Sequence, residues 1–232
     1  MRVAIVENMD GTHHGQVGVA LHEAGALVDI YRPHLGQPLP GDSARHDAIV
    51  VFGGEQSAVA DDDHPYLPHL AALMRRFGED GRAVLGICLG SQVLARGLGA
   101  TNQVGGADEF GWSEVRLTGA AAADPVLGAI PEVFRTFQWH ADTFSLPPGT
   151  SHLADSPVAP VQAFRHGRAT YGMQFHFEAS RPVVRQWKAV QEPWIARRYP
   201  DFLTDHPALE AAHGPVADAT GLAIARAWVS LI

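Results

Sequence analysis

The chain has 232 residues, the size of one substantial domain, with 46% hydrophobic against 18% charged residues, so it buries a real core and disorder is excluded. Acidic residues outnumber basic ones 25 to 17, and a formal net charge of -8 argues against broad binding to nucleic acid or an anionic membrane, leaving small molecules or proteins as partners. Thirteen histidines collapse that charge on mild acidification, a matter of solubility rather than function.

Short apolar runs alternate with amphipathic stretches through the first half. Val3 to Val6 predicts a strand, Gln16 to Ala26 a helix and Val28 to Tyr31 a second strand. After a loop rich in Pro and Gly comes Ala48-Ile49-Val50-Val51-Phe52, the kind of continuous apolar run that forms a strand buried on both faces, stopped by Gly53-Gly54. Asp61-Asp62-Asp63 then precede Pro65 and a helix to about Phe77; acids in that place read as helix caps and solvated charges rather than metal ligands. Ala83 to Ile87 is another buried strand, running directly into Cys88-Leu89-Gly90-Ser91-Gln92 and a helix over Val93 to Leu98. Four strands separated by helices call for an α/β fold, a parallel sheet covered by helices on both faces.

From Thr101 to Thr170 the pieces shorten, around Val115 to Leu117, Val133 to Phe137 and Ala159 to Phe164, and read as antiparallel additions to the same sheet. Tyr171 to Phe175 is a last buried strand, ending at His176. Residues 181 to 232 read as two helical segments around Pro200 and Pro207, without a change in composition that marks a linker, so one domain over 1–232 is expected. No apolar run approaches the roughly 18 residues that span a bilayer. One cysteine cannot form an intramolecular disulfide, and the N-terminus lacks a secretory pattern, so a reducing, cytoplasmic compartment is expected. Lys188 is the sole lysine, which removes the Gly-Lys pair of a phosphate-binding P-loop and a Schiff-base lysine within a strand.

The segment richest in chemistry is Gly86-Ile87-Cys88-Leu89-Gly90, with a nucleophile between a buried strand and a helix and glycine two residues to either side. That is the layout of a nucleophile elbow, in which a strained turn exposes the central side chain and the glycines relieve crowding. At a helix N-terminus the dipole and free N–H groups favour thiolate over thiol, and the N–H of Leu89 is a natural oxyanion donor. A thiol nucleophile needs a base and the base an orienting partner. His176-Phe177-Glu178 supplies both, since residues two apart on an extended backbone face the same side. Strand C-termini of a parallel sheet gather at one edge, which brings Cys88 and His176 together.

Gly86-Ile87-Cys88-Leu89-Gly90-Ser91-Gln92 together with Gln174-Phe175-His176-Phe177-Glu178 resembles the class I glutamine amidotransferase family, over roughly residues 1 to 185. Gly111-Trp112-Ser113-Glu114-Val115 and Gln138-Trp139-His140-Ala141-Asp142-Thr143-Phe144 resemble, more narrowly, free-standing proteins similar to the glutaminase domain of GMP synthase. The resemblance implies a flavodoxin-like, three-layer α/β/α fold with a mostly parallel central sheet and antiparallel additions, and it leaves the helical segments read over about 181–232 as a C-terminal extension of that core. It implies attack by Cys88 on the γ-carboxamide of glutamine, ammonia release, a γ-glutamyl thioester and its hydrolysis, with His176 moving protons and Glu178 orienting it. It also implies Gly54 N–H as second oxyanion donor, Gln92 against the substrate, and His140 and Asp142 at the substrate's amino-acid end. Neither cofactor nor metal is called for. The chain departs from the family where Phe177 and Glu55 replace the usual prolines: the first removes a backbone constraint on Glu178, and the second puts a carboxylate near the oxyanion site unless it points outward.

Other readings fare worse. Phe52-Gly53-Gly54-Glu55-Gln56-Ser57 lacks the first Ser and the Asp of a pyrophosphate loop, and Gly97, Gly99, Gly105 and Gly106 complete no dinucleotide fingerprint. The pairs His13-His14 and His64/His69 read as solvated loop histidines. The ammonia acceptor is the gap, because the chain leaves no room for an ATP-dependent synthetase. It is expected either to deliver ammonia to a synthetase subunit, or to act alone as a hydrolase or peptidase on γ-glutamyl compounds, or to be an idle binding protein on the same fold.

Overall fold

The computed structural model describes all residues 1–232. In chain order the elements are β1 (Arg2–Val6), α1 (Gly15–Glu23), β2 (Leu27–Tyr31), β3 (Ala48–Val51), α2 (Leu67–Glu79), β4 (Ala83–Ile87) and α3 (Leu89–Gly97). There follow β5 (Asn102–Gln103), β6 (Glu109–Leu117), β7 (Val133–His140), β8 (Thr143–Phe144), β9 (Ser151–Asp155), β10 (Ala163–His166) and β11 (Thr170–Met173). The chain closes with α4 (Arg181–Val190), α5 (Glu192–Arg198) and α6 (Pro200–Val229).

Nine strands form one sheet in the order β2-β1-β3-β4-β11-β10-β9-β6-β7. The pairs from β2 through β11 are parallel and those from β11 to β7 antiparallel. The apolar runs explain the layers, because alternate residues of one strand serve opposite faces. Val3 and Ile5 of β1 pack in a core with α1 and the C-terminal half of α6, while Ala4 and Val6 pack in a second core with α2 and α3. A third cluster, built from Trp112, Phe137, Val184, Ile195 and Phe202, joins α4, α5 and the start of α6 to β6 and β7.

Four expectations are corrected. The last parallel strand stops at Met173; His176 lies beyond it in an isolated antiparallel bridge to Phe137. β9 was not anticipated, and the strand expected from Ala159 begins at Ala163, because the segment before it folds back through Ser156, whose N–H reaches the carbonyl of Ala159 at 2.9 Å. The tail holds three helices rather than two. Pro200 opens α6, and Pro207 and Pro215 lie inside it without ending it. Both internal prolines are exposed, so water reaches the carbonyls they leave unpaired, and the buried stripe from Phe202 to Trp228 holds the helix together. Finally, the acidic loop does not cap α2, whose N-cap is Tyr66 without a side-chain bond; Asp61 instead takes both arms of Arg96 from α3 at 2.6 Å.

Candidate active site

Cys88 joins β4 to α3 with φ 52° and ψ -113°, the only residue other than glycine with positive φ. Such a conformation is costly for a side-chain-bearing residue and persists only when its surroundings over-determine it. They do so here. A Cβ on Gly90 would lie 2.0 Å from the carbonyl oxygen of Val51, and one on Gly86 would lie 2.4 Å from that of Gly90, so the two flanking glycines allow the first turn of α3 to press against the sheet. The N–H of Cys88 is bonded to Met173 at 2.9 Å, and its carbonyl receives Ser91 Oγ at 2.7 Å. The residue is 6% exposed, and it lies at the floor of a cavity of roughly 770 Å³ rather than sealed in the core.

His176 reaches the same cavity through its bridge to β7, its N–H bonded to the carbonyl of Phe137 at 2.9 Å. Its Nδ1 is 2.7 Å from Glu178 Oε1, and with that nitrogen engaged, Nε2 is the one left to serve the Cys88 side chain, whose Sγ lies 3.8 Å from Trp139 O. Burial works against a charged imidazole, but the Glu178 carboxylate, followed by Cys88, outweighs it and pushes the ring up to about 10 from an ordinary 6.5. The expected i, i+2 relation thus holds in distance, though it arises in a turn rather than along a strand.

Phe177 does not loosen this arrangement. Its ring is 2% exposed and packs against Phe175, while the neighbouring backbone is clamped from two sides. Gln16 N–H donates to the carbonyl of Glu178 at 2.9 Å, and Gly221 of α6 sits so close to the carbonyl of Phe177 that a Cβ there would come within 2.0 Å. Tertiary contacts replace the missing proline. Glu55 is exposed and lines the same cavity, accepting from Gln191 Nε2 at 3.4 Å.

Gly53 faces His176 and Cys88, where a Cβ would be 3.2 Å from the His176 ring and 3.5 Å from the Cys88 side chain, while a Cβ on Gly54 would press on Gln56, Asn8 and, at 2.9 Å, Leu89. Leu89 is the first residue of α3, where N–H groups have no partner within the helix. Gln92 and Asp142 line the cavity together, Gln92 Nε2 donating to Asp142 O at 3.2 Å and to Gln174 Oε1 at 3.1 Å, and Asp142 Oδ1 accepting from Gly105 N–H at 2.8 Å. His140 also borders the cavity, but both ring nitrogens turn to the protein, Nδ1 to Asp142 O at 3.1 Å and Nε2 to Glu109 at 3.2 Å.

Sequence reasoning missed several residues. His14, expected to be solvated, is bonded to Glu7 at 2.9 Å and stacks on Phe52. Asn8 holds the glycine turn, donating to Phe52 O at 2.8 Å. Trp187, Trp194 and Tyr199, from α4, α5 and the turn after it, form one wall of the cavity, and only the density of aromatics between 187 and 202 hinted at them. No group of three or more His, Cys, Asp or Glu converges as a metal site would require. A second cavity of roughly 560 Å³, between Leu39 and α2, touches none of these residues.

The family profile described as glutamine amidotransferase class-I matches residues 8–184. The chain belongs to the class I glutamine amidotransferase family. Relatives within this family include a glutamine amidotransferase-like protein of Salmonella typhimurium, YfeJ, 31% identical over 165 residues that cover 70% of this chain and 69% of that one. A glutamine-hydrolyzing GMP synthase subunit of Haloarcula marismortui is 38% identical over 185 residues, 77% of this chain and 86% of that one. The crystal structure of a glutamine amidotransferase from Thermotoga maritima superposes with a TM-score of 0.85 at 26% identity, covering 98% of this chain and 97% of that one. The flavodoxin-like architecture expected of an amidotransferase of this class is therefore the one present. The profile ends three residues before Trp187, so Trp187, Trp194 and Tyr199 lie outside the matched part. No helix of the chain is long and apolar enough to cross a membrane.

Proposed function

We propose that this chain hydrolyses the γ-carboxamide of glutamine through a covalent thioester on Cys88. The observation that carries the reading is the nucleophile elbow at Cys88, placed at the floor of a cavity beside an imidazole whose other nitrogen is held by Glu178 at 2.7 Å. The thiolate attacks the amide carbon, and the N–H groups of Gly54 and Leu89 take up the developing negative charge on oxygen. The C–N bond breaks as His176 gives its Nε2 proton to the departing nitrogen, and ammonia leaves. Water then attacks the thioester, His176 accepts a proton from it, the C–S bond breaks, and glutamate departs. Glu178 orients the ring and favours its charged form throughout.

Gln92 and Asp142 bind the α-amino-acid end of the substrate, with His140 positioning Asp142 through its backbone. The acceptor of the ammonia is a synthetase on another chain, a reading supported by the relative named as one subunit of GMP synthase. The test is ammonia release from L-glutamine by the purified protein, alone and with the proteins that co-purify with it. We expect release that Cys88→Ala abolishes. Equal release by the variant, or none from the wild type under either condition, rejects the assignment.

A further inference from the structure

The cavity is much larger than the side chain of a single amino acid, and its size is that of pockets that bury drug-sized ligands. One of its sides is aromatic. Trp187 packs edge-on to the His176 ring, with centroids 5.1 Å apart, and Trp139, Trp194 and Tyr199 continue the wall at 5.5 to 5.8 Å from ring to ring. These four rings are half-buried and pack against the third cluster without belonging to its buried core, which closes through Trp112, Phe137, Ile195 and Phe202. At the rim, Val104 and Val190 are 66% and 67% exposed. Aromatic faces and exposed valines around a catalytic cavity cost free energy unless something apolar covers them.

The side on which they stand has a chemical meaning. His176 must protonate the nitrogen that leaves the substrate, so any substituent on that nitrogen emerges next to the imidazole, beside Trp187. A flat ring there would meet aromatic faces in edge or offset geometry. The acid bonded to this wall, Asp108, already has a cation: Arg198 reaches it at 2.9 Å, and Tyr199 donates to it as well. That pairing leaves an apolar wall more suited to an uncharged ring than to an alkylammonium group.

We propose that the site also accepts γ-glutamyl amides whose nitrogen carries an aromatic substituent, releasing the arylalkylamine in place of ammonia; this rests on the Cys88 mechanism above. The balance is that of any amide hydrolysis. Sulfur bonds to the γ-carbon, the C–N bond breaks, the amine leaves with the proton from His176, and water restores the free thiolate and yields glutamate.

The test compares kcat/KM for the γ-N-benzyl, γ-N-methyl and γ-N-(4-aminobutyl) amides of glutamate with that for L-glutamine. The benzyl amide is expected to exceed the methyl amide by roughly tenfold or more, the scale at which apolar pockets discriminate. Trp194→Ala should lower the ratio of benzyl amide to glutamine by about the same factor, and Trp194→Phe should keep most of it. A protein that splits glutamine but treats benzyl and methyl amides alike, prefers the aminobutyl amide, or keeps its ratio in Trp194→Ala, overturns this inference alone. One that splits none of the four overturns the Cys88 reading, and this one with it.

Discussion

The carbonyl oxygen of Glu178 accepts the backbone N–H of Gln16 at 2.9 Å, so the first turn of α1 is tied to the residue whose carboxylate holds His176. The approach requires glycine at position 15, which has φ +48° and whose Cβ would lie 1.9 Å from that oxygen. On the other side, Gly221 lets α6 reach Phe177. Two helices far apart in sequence thus hold the carboxylate end of the triad.

Gly221→Ala should therefore displace the triad as well as strain the fold. Overpacking of this kind costs about 1 to 3 kcal/mol, read as a lower denaturation midpoint at unchanged slope. Glutaminase kcat should fall more than KM rises, because the defect lies in orientation rather than binding. A variant that loses stability but keeps its turnover would show the clamp to be structural only.

Glu178→Gln removes the charge that most raises His176. The folded protein holds the imidazolium up to about 10 against 6.5 unfolded, so this contribution to stability is fully present below 6.5 and is lost as pH climbs toward 10. The alkaline limb of kcat/KM should lie near pH 10 in the wild type and move toward neutrality in the variant. The loss of kcat should be smaller than for Cys88→Ala or His176→Ala, since an orienting group is partly replaceable. An unmoved limb would remove Glu178 from the triad.

A glutamine-like electrophile such as a diazoketone analogue should label Cys88 alone, at a rate that His176→Ala lowers by at least about tenfold. Peptide mass mapping reads the site directly. Labelling that ignores the histidine substitution would mean that the sulfur reacts without help from the imidazole.

Phe177→Ala should cost about 3 kcal/mol in chemical denaturation, because a ring 2% exposed leaves a void against Phe175. The hydrogen bonds of Gln16 and His176 lie on the backbone and on another side chain, so the residual folded protein should retain its triad, checked as labelling by the same electrophile. A cost below about 1 kcal/mol would mean that neighbouring side chains collapse into the space.

The parallel half of the sheet was legible because its central strands β1, β3 and β4 carry continuous apolar runs, and the elbow because its glycines sit two residues either side of the cysteine. Both are local patterns, carried by a handful of adjacent residues. The meeting of Cys88 and His176 followed as well, since parallel strands end at one edge. Beyond that the chain had to be folded to be read. Pro207 and Pro215 argue locally for breaks, yet burial of the stripe they interrupt outweighs the lost hydrogen bonds. His14 and His140 look alike as residues, yet one ring bonds the Glu7 carboxylate and the other the carbonyl of Asp142. The wall of Trp187, Trp194 and Tyr199 depends on where α4 and α5 pack against β7. Periodicity and turn chemistry report on neighbours along the chain, whereas the partners of a side chain, and so the shape and charge of the cavity, are set by contacts between segments that only packing brings together.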